Sequence, residues 1–266
     1  MNPITKKKIA LLCDYGLDDA IATLFLLNYA ERFLQIDILP VGGNFSREKA
    51  QINAKRLLSN CEKLPCGIRI VDTSAIPQPC DDLPFIHGQD GMGDVIGAAY
   101  EEKAPVIGYD DWLKEVDDDY LLLSLGPCTV TEDILKKKGA LPLVMMCGNI
   151  AEPPNQGDYE FNHAINRSAF TFCTGYPHAA ATLDSCHHPK GDLNALNLEG
   201  EDLLHRLLRA YHHLSVGRKE PACYVYDLTA VLYVLFPERF DCSEQRDRDG
   251  NRVTVLRYVS EKSILD

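Results

Sequence analysis

Short apolar runs of strand length alternate along this chain with stretches in which apolar residues recur every three to four positions. Lys8–Cys13 is β-like, residues 20–33 carry leucines on one helical face, residues 36–41 are β-like again and residues 47–59 are helical. Further strand candidates lie at 67–71, 120–125 and 141–146, with a weaker one at 179–183, and residues 110–116 and 201–213 are helix-like. Strands separated by helical stretches need crossover connections. The pattern therefore predicts an α/β fold: an open, mostly parallel, Rossmann-like sheet with helices on both faces. Asp249-Gly250 is a hairpin signal and residues 252–259 alternate, so a late antiparallel strand is expected. The Pro- and Asp-rich stretch 76–84 reads as a loop. No repeat or linker divides the chain, and residues 1–266 are expected to form a single domain.

Composition narrows the function. At 266 residues and 45% hydrophobic content the chain can bury a substantial core. A net charge of −12 speaks against nucleic-acid or anionic-membrane partners, which call for basic patches. The ten cysteines form no C-x-x-C pair, and several sit inside apolar runs, so they read as reduced core residues. Lys6-Lys7-Lys8 resembles the start of a secretion signal, but Asp14 cuts short the apolar run behind it. No apolar run reaches membrane-spanning length. A soluble cytoplasmic protein is expected.

Polar clusters follow the strands. Asp14, Asp18 and Asp19 come directly after the first, and Gly42-Gly43-Asn44 after the second. Gly126-Pro127-Cys128-Thr129 and Cys147-Gly148-Asn149 follow later strands; the polar loop after Asn149 ends in Glu160-Phe161-Asn162. Asp184-Ser185-Cys186-His187 follows the weak strand. In a parallel sheet all these ends share one rim, where ligands of open α/β sheets bind. Gly, Asn and Asp are also ordinary turn residues, so the convergence counts for more than any one loop. Three carboxylates within six residues invite a hard cation, which prefers oxygen donors. Helix capping by Asp18 and Asp19 is the plainer alternative.

Cys13-Asp14-Tyr15-Gly16-Leu17-Asp18-Asp19 resembles the D-x-D-P-G-x-D-D signature of the nucleoside hydrolases, the inosine-uridine-preferring N-ribohydrolase family. Leu12 stands where the first aspartate is usual and Tyr15 replaces the proline. The resemblance continues through Val41-Gly42-Gly43-Asn44 with Asn53-Ala54, and His87-Gly88-Gln89-Asp90-Gly91-Met92-Gly93. It takes in Leu125-Gly126-Pro127-Cys128-Thr129, Met146-Cys147-Gly148, Glu160-Phe161-Asn162 and Leu183-Asp184-Ser185-Cys186-His187.

The resemblance implies metal-dependent hydrolysis of the N-glycosidic bond of a ribonucleoside or related riboside. Calcium would be held by Asp14, Asp19, the carbonyl of Thr129 and Asp227, with Asp18 as general base toward the attacking water. Asn44, Met146, Glu160 and Asn162 would hold the substrate. Homo-oligomeric assembly, as dimer or tetramer, is implied as well. At the leaving group the chain departs from the family: Tyr226 fills the place of the acid histidine, before Asp227. Tyr226 is either a weak donor or a packing aromatic, and His187 is the reserve acid. Pro154 replaces a ribose-binding asparagine, for which the adjacent Asn155 would substitute. These departures keep a second reading open, a riboside-binding protein that has lost turnover. A phosphatase using Asp14 as nucleophile fits poorly, because Gly16 stands where that chemistry wants an acid.

Overall fold

A computed structural model describes residues 7–64, 67–150 and 160–265. Among these residues nine strands form one sheet: β1 Lys8–Cys13, β2 Gln35–Pro40, β3 Ile68–Asp72, β4 Val106–Gly108, β5 Tyr120–Ser124, β6 Leu143–Met146, β7 His178–Ala181, β8 Phe240–Arg246 and β9 Arg252–Tyr258. Their order across the sheet is β4-β3-β2-β1-β5-β6-β7-β9-β8. Every pairing is parallel except that of β8 with β9. The expected mostly parallel sheet with a late antiparallel excursion is the architecture observed.

Alternation along β1 explains the layers. Ile9, Leu11 and Cys13 join one apolar layer with helices α1 (Leu17–Leu27), α2 (Arg47–Asn60), α8 (Leu203–Gly217) and α9 (Tyr226–Leu235). Ala10 and Leu12 join the other, with α4 (Tyr109–Glu115), α5 (Thr129–Lys138) and α7 (Arg167–Thr174). Successive strand residues point to opposite faces, so a strand buried on both sides is apolar throughout. Leu12, where the family signature has an aspartate, belongs to this second layer and is fully buried. Two short helices complete the described set: α3 (Pro84–His87) and α6 (Phe161–Ile165).

The helix expected over 20–33 starts earlier and stops sooner. It begins at Leu17, ends at Leu27, and a 3₁₀ turn, Ala30–Arg32, follows. Two strands escape the periodicity. β4 has three residues on the sheet edge, and β8 exposes six of its seven residues, so neither carries an apolar alternation. β8 exists through its pairing with β9. Each of the cysteines among the described residues is free, and Cys13, Cys128, Cys147, Cys173, Cys186 and Cys223 are buried. No helix among the described residues is long and apolar enough to cross a membrane.

β1 sits between β2 and β5, where the strand order reverses direction. Cys13 is in register with Pro40 of β2, and Leu12 with Ser124 of β5. The three strands thus end together, and their following loops meet above the switch point, the usual ligand crevice of such sheets.

Candidate active site

Asp14 leaves the end of β1 and turns toward the loop after β2. Its Oδ2 accepts the Asn44 backbone N–H at 2.7 Å, and Oδ1 accepts the Asn44 side-chain amide at 3.2 Å. Gly43 and Gly126 make room for this carboxylate. A Cβ on Gly43 would overlap Asp14 Oδ2, and one on Gly126 would stand 3.2 Å from the Asp14 Cβ.

Asp18 and Asp19 do not cap α1 from outside; they lie in its first turn, behind Gly16 as N-cap. Asp19 Oδ2 accepts the Gly16 N–H at 2.8 Å, and Nδ1 of His87 accepts the Leu17 N–H at 3.1 Å. Two amides left over by the helix geometry are thereby satisfied. Tyr15, just before, takes φ +45°. Asp227 lies in the first turn of α9, where the helix dipole favours a negative charge.

The aspartates converge. Carboxylate oxygens of Asp18, Asp19 and Asp227 all lie within 4.8 Å of one another. Asp14, Asp18, Asp19 and Asp227 are each at most 9% exposed. Burial pushes the Asp14 carboxyl up to about 7, with the Asp18 charge adding to it. Burial also drives Asp19 up, reinforced by Asp227 and Asp14, and Asp227 up, reinforced by Asp18 and Asp14. Oδ1 of Asp19 is fully buried and receives no hydrogen bond from the described residues. Three converging buried acids, Asp18, Asp19 and Asp227, with one Asp19 oxygen lacking a donor, fit a hard cation; Asp14, whose two oxygens accept from Asn44, is not in that group. Thr129 begins α5, directly after the turn that carries Gly126, and its hydroxyl accepts from the Asn166 side chain at 2.9 Å.

A cavity of about 360 Å³ opens above the acids, lined in part by Asp18, Asn44, Met146, Glu160, Asn162 and Tyr226. Glu160 caps α6. Its Oε2 accepts from Gly148 N at 2.7 Å and His163 N at 2.8 Å, and its Oε1 from Asn162 N at 2.9 Å. A carboxylate has about four lone-pair sites, so three donors fix it and leave roughly one for a ligand. Burial raises the Glu160 carboxyl, and these three amides oppose the shift. Asn162 uses its amide nitrogen on the carbonyls of Leu125 (2.7 Å) and Met146 (3.1 Å), leaving Oδ1 as the atom it can offer. Asn155, expected at this wall, lies outside the described residues, as does Pro154.

Tyr226 lines the cavity and His187 does not. His187 stacks on Tyr224 at 4.6 Å between ring centroids, and its Nε2 lies 3.4 Å from the Tyr226 hydroxyl.

His87 lines the cavity too, although the sequence singled out its loop and not its side chain. Its Nδ1 is 3.5 Å from Asp18 Oδ1. Burial holds the imidazole below its ordinary value, so at neutral pH the contact is a dipole against a carboxylate rather than an ion pair. With Nδ1 accepting from Leu17, the ring proton is assigned to Nε2. The one available signal was its position in the glycine loop, where turn chemistry is an equally good explanation.

Comparison with known proteins bears on the fold and the family. A pyrimidine-specific ribonucleoside hydrolase RihB from Escherichia coli (strain UMN026) is 29% identical over 197 residues, covering 67% of this chain and 60% of the relative. This chain thus matches about three-fifths of the length of the curated relatives. A purine-preferring ribonucleoside hydrolase from Gardnerella vaginalis superposes with a TM-score of 0.70 at 21% identity, covering 96% of this chain and 93% of that one. An inosine-guanosine nucleoside hydrolase gives a TM-score of 0.70 at 20% identity, covering 97% and 90%. At these identities the superpositions establish the fold. The family model for inosine-uridine preferring nucleoside hydrolases matches residues 9–260, nearly the whole chain, and this protein belongs to that family.

Proposed function

We propose that this protein hydrolyses the N-glycosidic bond of a ribonucleoside or related riboside, releasing ribose and the free base. The observation that carries the reading is the buried group of Asp18, Asp19 and Asp227 at the floor of a cavity whose wall presents Glu160 and Asn162. Asp14, Asp19, Asp227 and the carbonyl of Thr129 would hold calcium. When bound, such a cation supplies an acidified water and a charged template for the sugar.

The chain's own residues account for the remaining steps. Asp18 accepts the proton of the attacking water as general base. Glu160, fixed by three backbone amides, and Oδ1 of Asn162 accept ribose hydroxyls, while Met146 packs beneath the sugar and Asn44 orients it from the Asp14 side. Departure of the base leaves an oxocarbenium-like ribosyl group, and the surrounding carboxylates stabilise its developing positive charge. Water adds on the face opposite the departing base, as in inverting glycosidases. Tyr226, at the leaving-group end, is the hydroxyl available to the base, with His187 behind it.

Hydrolysis of inosine, uridine and a nitrophenyl riboside, with calcium present, tests the reading. Asp18→Asn should retain the fold and riboside binding while lowering turnover by at least 10³-fold, because only the proton acceptor is lost. Full activity in that variant removes Asp18 from the base role. The second reading, a riboside binder without turnover, draws on the tyrosine at position 226. Calorimetric binding of inosine with no hydrolysis of any riboside would establish it.

A further inference from the structure

One wall of the cavity, away from Glu160 and Asn162 in sequence, is assembled from two segments more than a hundred positions apart. One is the turn carrying α3, with Leu83, Phe85, Ile86 and His87 on the cavity wall; the other is the end of α8 and the residues after it, with Tyr211, Arg218 and Glu220. Phe85 is 62% exposed, so its side chain does little to hold the middle of the turn, whose far end is fixed by the buried His87. Arg218 bridges the two segments. Its Nη1 donates to the carbonyls of Phe85 at 3.2 Å and Ile86 at 3.3 Å. Its Nε and Nη2 donate to the two carboxylate oxygens of Glu220 at 2.9 and 3.1 Å.

The bridge is held from behind. Ser215 Oγ donates to Glu220 Oε2 at 2.6 Å, and Glu220 N donates to the Ser215 carbonyl at 3.2 Å. Lys219, between the two charged residues, takes φ +59°. That left-handed turn folds the chain so that residues 218 and 220 meet as a forked pair. A guanidinium suits this bridge because its planar fork engages a carboxylate with one edge and backbone carbonyls with the other, which an ammonium cannot copy.

We propose that Arg218 is a positioning residue for the leaving group: with Glu220 and Ser215 it latches the turn 83–87 to α8, so that the walls meeting the nucleobase are assembled before the riboside arrives. The inference rests on the riboside reading above and deepens it. The latch acts on the planar heteroaromatic part of the substrate; at the sugar end the same turn is held separately, by the Leu17 N–H on His87 and by Leu83 N on the Asn44 carbonyl, so Glu160, Asn162 and the aspartates keep their places without Arg218. Preorganisation of this kind lowers the ordering cost of binding and therefore enters KM more than kcat.

The test compares the full chain with Arg218→Ala and Arg218→Lys. Hydrogen exchange on the substrate-free proteins should show amides of residues 83–88 exchanging at least tenfold faster in Arg218→Ala, with β1 and α9 amides unchanged. In calcium-containing assays KM for inosine or uridine should rise about tenfold with kcat within threefold, while inhibition by free ribose keeps its constant. Arg218→Lys should recover less than half of the KM change on a logarithmic scale. Unchanged exchange at 83–88 overturns the latch. So does an equal weakening of nucleoside and ribose, which marks a general structural role. If no riboside is turned over at all, the hydrolase reading fails, and the exchange measurement still decides whether the latch exists.

Discussion

The hydroxyl of Tyr226 lies 3.4 Å from Nε2 of His187, and only the tyrosine of the two faces the cavity. The two residues that compete in the sequence as proton donors are therefore neighbours in space, and a relay from His187 would run through Tyr226. Tyr226→Phe and His187→Ala should each lower kcat/KM for inosine by roughly 10²-fold, and the double variant should be no worse than the poorer single. A nitrophenyl riboside, whose leaving group needs no proton, should be nearly unaffected. Burial shifts the His187 imidazole below its usual value, so proton-assisted turnover of inosine should fall already as the pH rises through the region under about 6.5. Steady-state pH profiles of the three variants decide it. A silent Tyr226→Phe would reduce the pair to packing.

Removal of the cation should destabilise the protein. A ligand bound only by the native state at a hundred times its Kd adds about 2.7 kcal/mol, which for a chain of this size is roughly 5–10 °C in Tm. Chelation followed by calcium readdition, monitored by differential scanning calorimetry, should lower and then restore the transition. A melting curve indifferent to chelator and calcium would remove the cation from among the four aspartates.

Gly43→Ala should act on the cation without replacing any ligand. The added methyl would overlap Asp14 Oδ2 and displace a carboxylate already fixed by two bonds from Asn44. Calcium affinity by isothermal titration should drop at least tenfold, with the calcium-free protein still folded. Unaltered affinity would mean that Asp14 is not part of the ligand set.

His178 makes stability depend on pH. Its Nε2 accepts the Thr254 N–H at 3.2 Å and its Nδ1 bonds the Tyr176 carbonyl at 2.8 Å, an arrangement that requires the neutral ring. Burial lowers its folded-state value. The unfolded chain then binds the extra proton, so this contribution is complete above about pH 6.5 and shrinks as the pH falls toward the folded value, by up to about 1.4 kcal/mol per unit. Urea titrations between pH 5 and 8 should show a shallower pH slope for His178→Gln than for the parent protein. Equal slopes would assign the acid sensitivity elsewhere.

What the sequence made legible follows a physical division. β1, β5 and β6 carry apolar runs, and β2 one broken only by Asp37, because both faces of each are covered, and such runs announce themselves. β8 carries no such pattern, since only its hydrogen bonds to β9 make it a strand. At the site, Asp14, Asp18, Asp19 and the Glu160–Asn162 pair were readable from their place at strand ends. Arg218 was not: its partners Phe85 and Ile86 lie 133 and 132 positions away and offer only backbone carbonyls, which no side-chain pattern encodes. Asp37 was equally silent. Inside an apparently ordinary strand it gathers Arg69, Trp112 and Tyr120 around one fully buried carboxylate, a convergence that only the folded chain produces.

The left-handed backbone at Tyr15 bears on how this sequence can be changed. Proline, the family's usual residue there, holds φ near −65°, whereas the peptide between Asp14 and Gly16 turns to +45°. The two ends of the signature are retained on a link wound the other way. Moving a residue toward the family consensus is a common route to higher stability. At position 15 that route is closed to a single exchange: Tyr15→Pro would have to rewind the very segment that joins Asp14 to the first turn of α1.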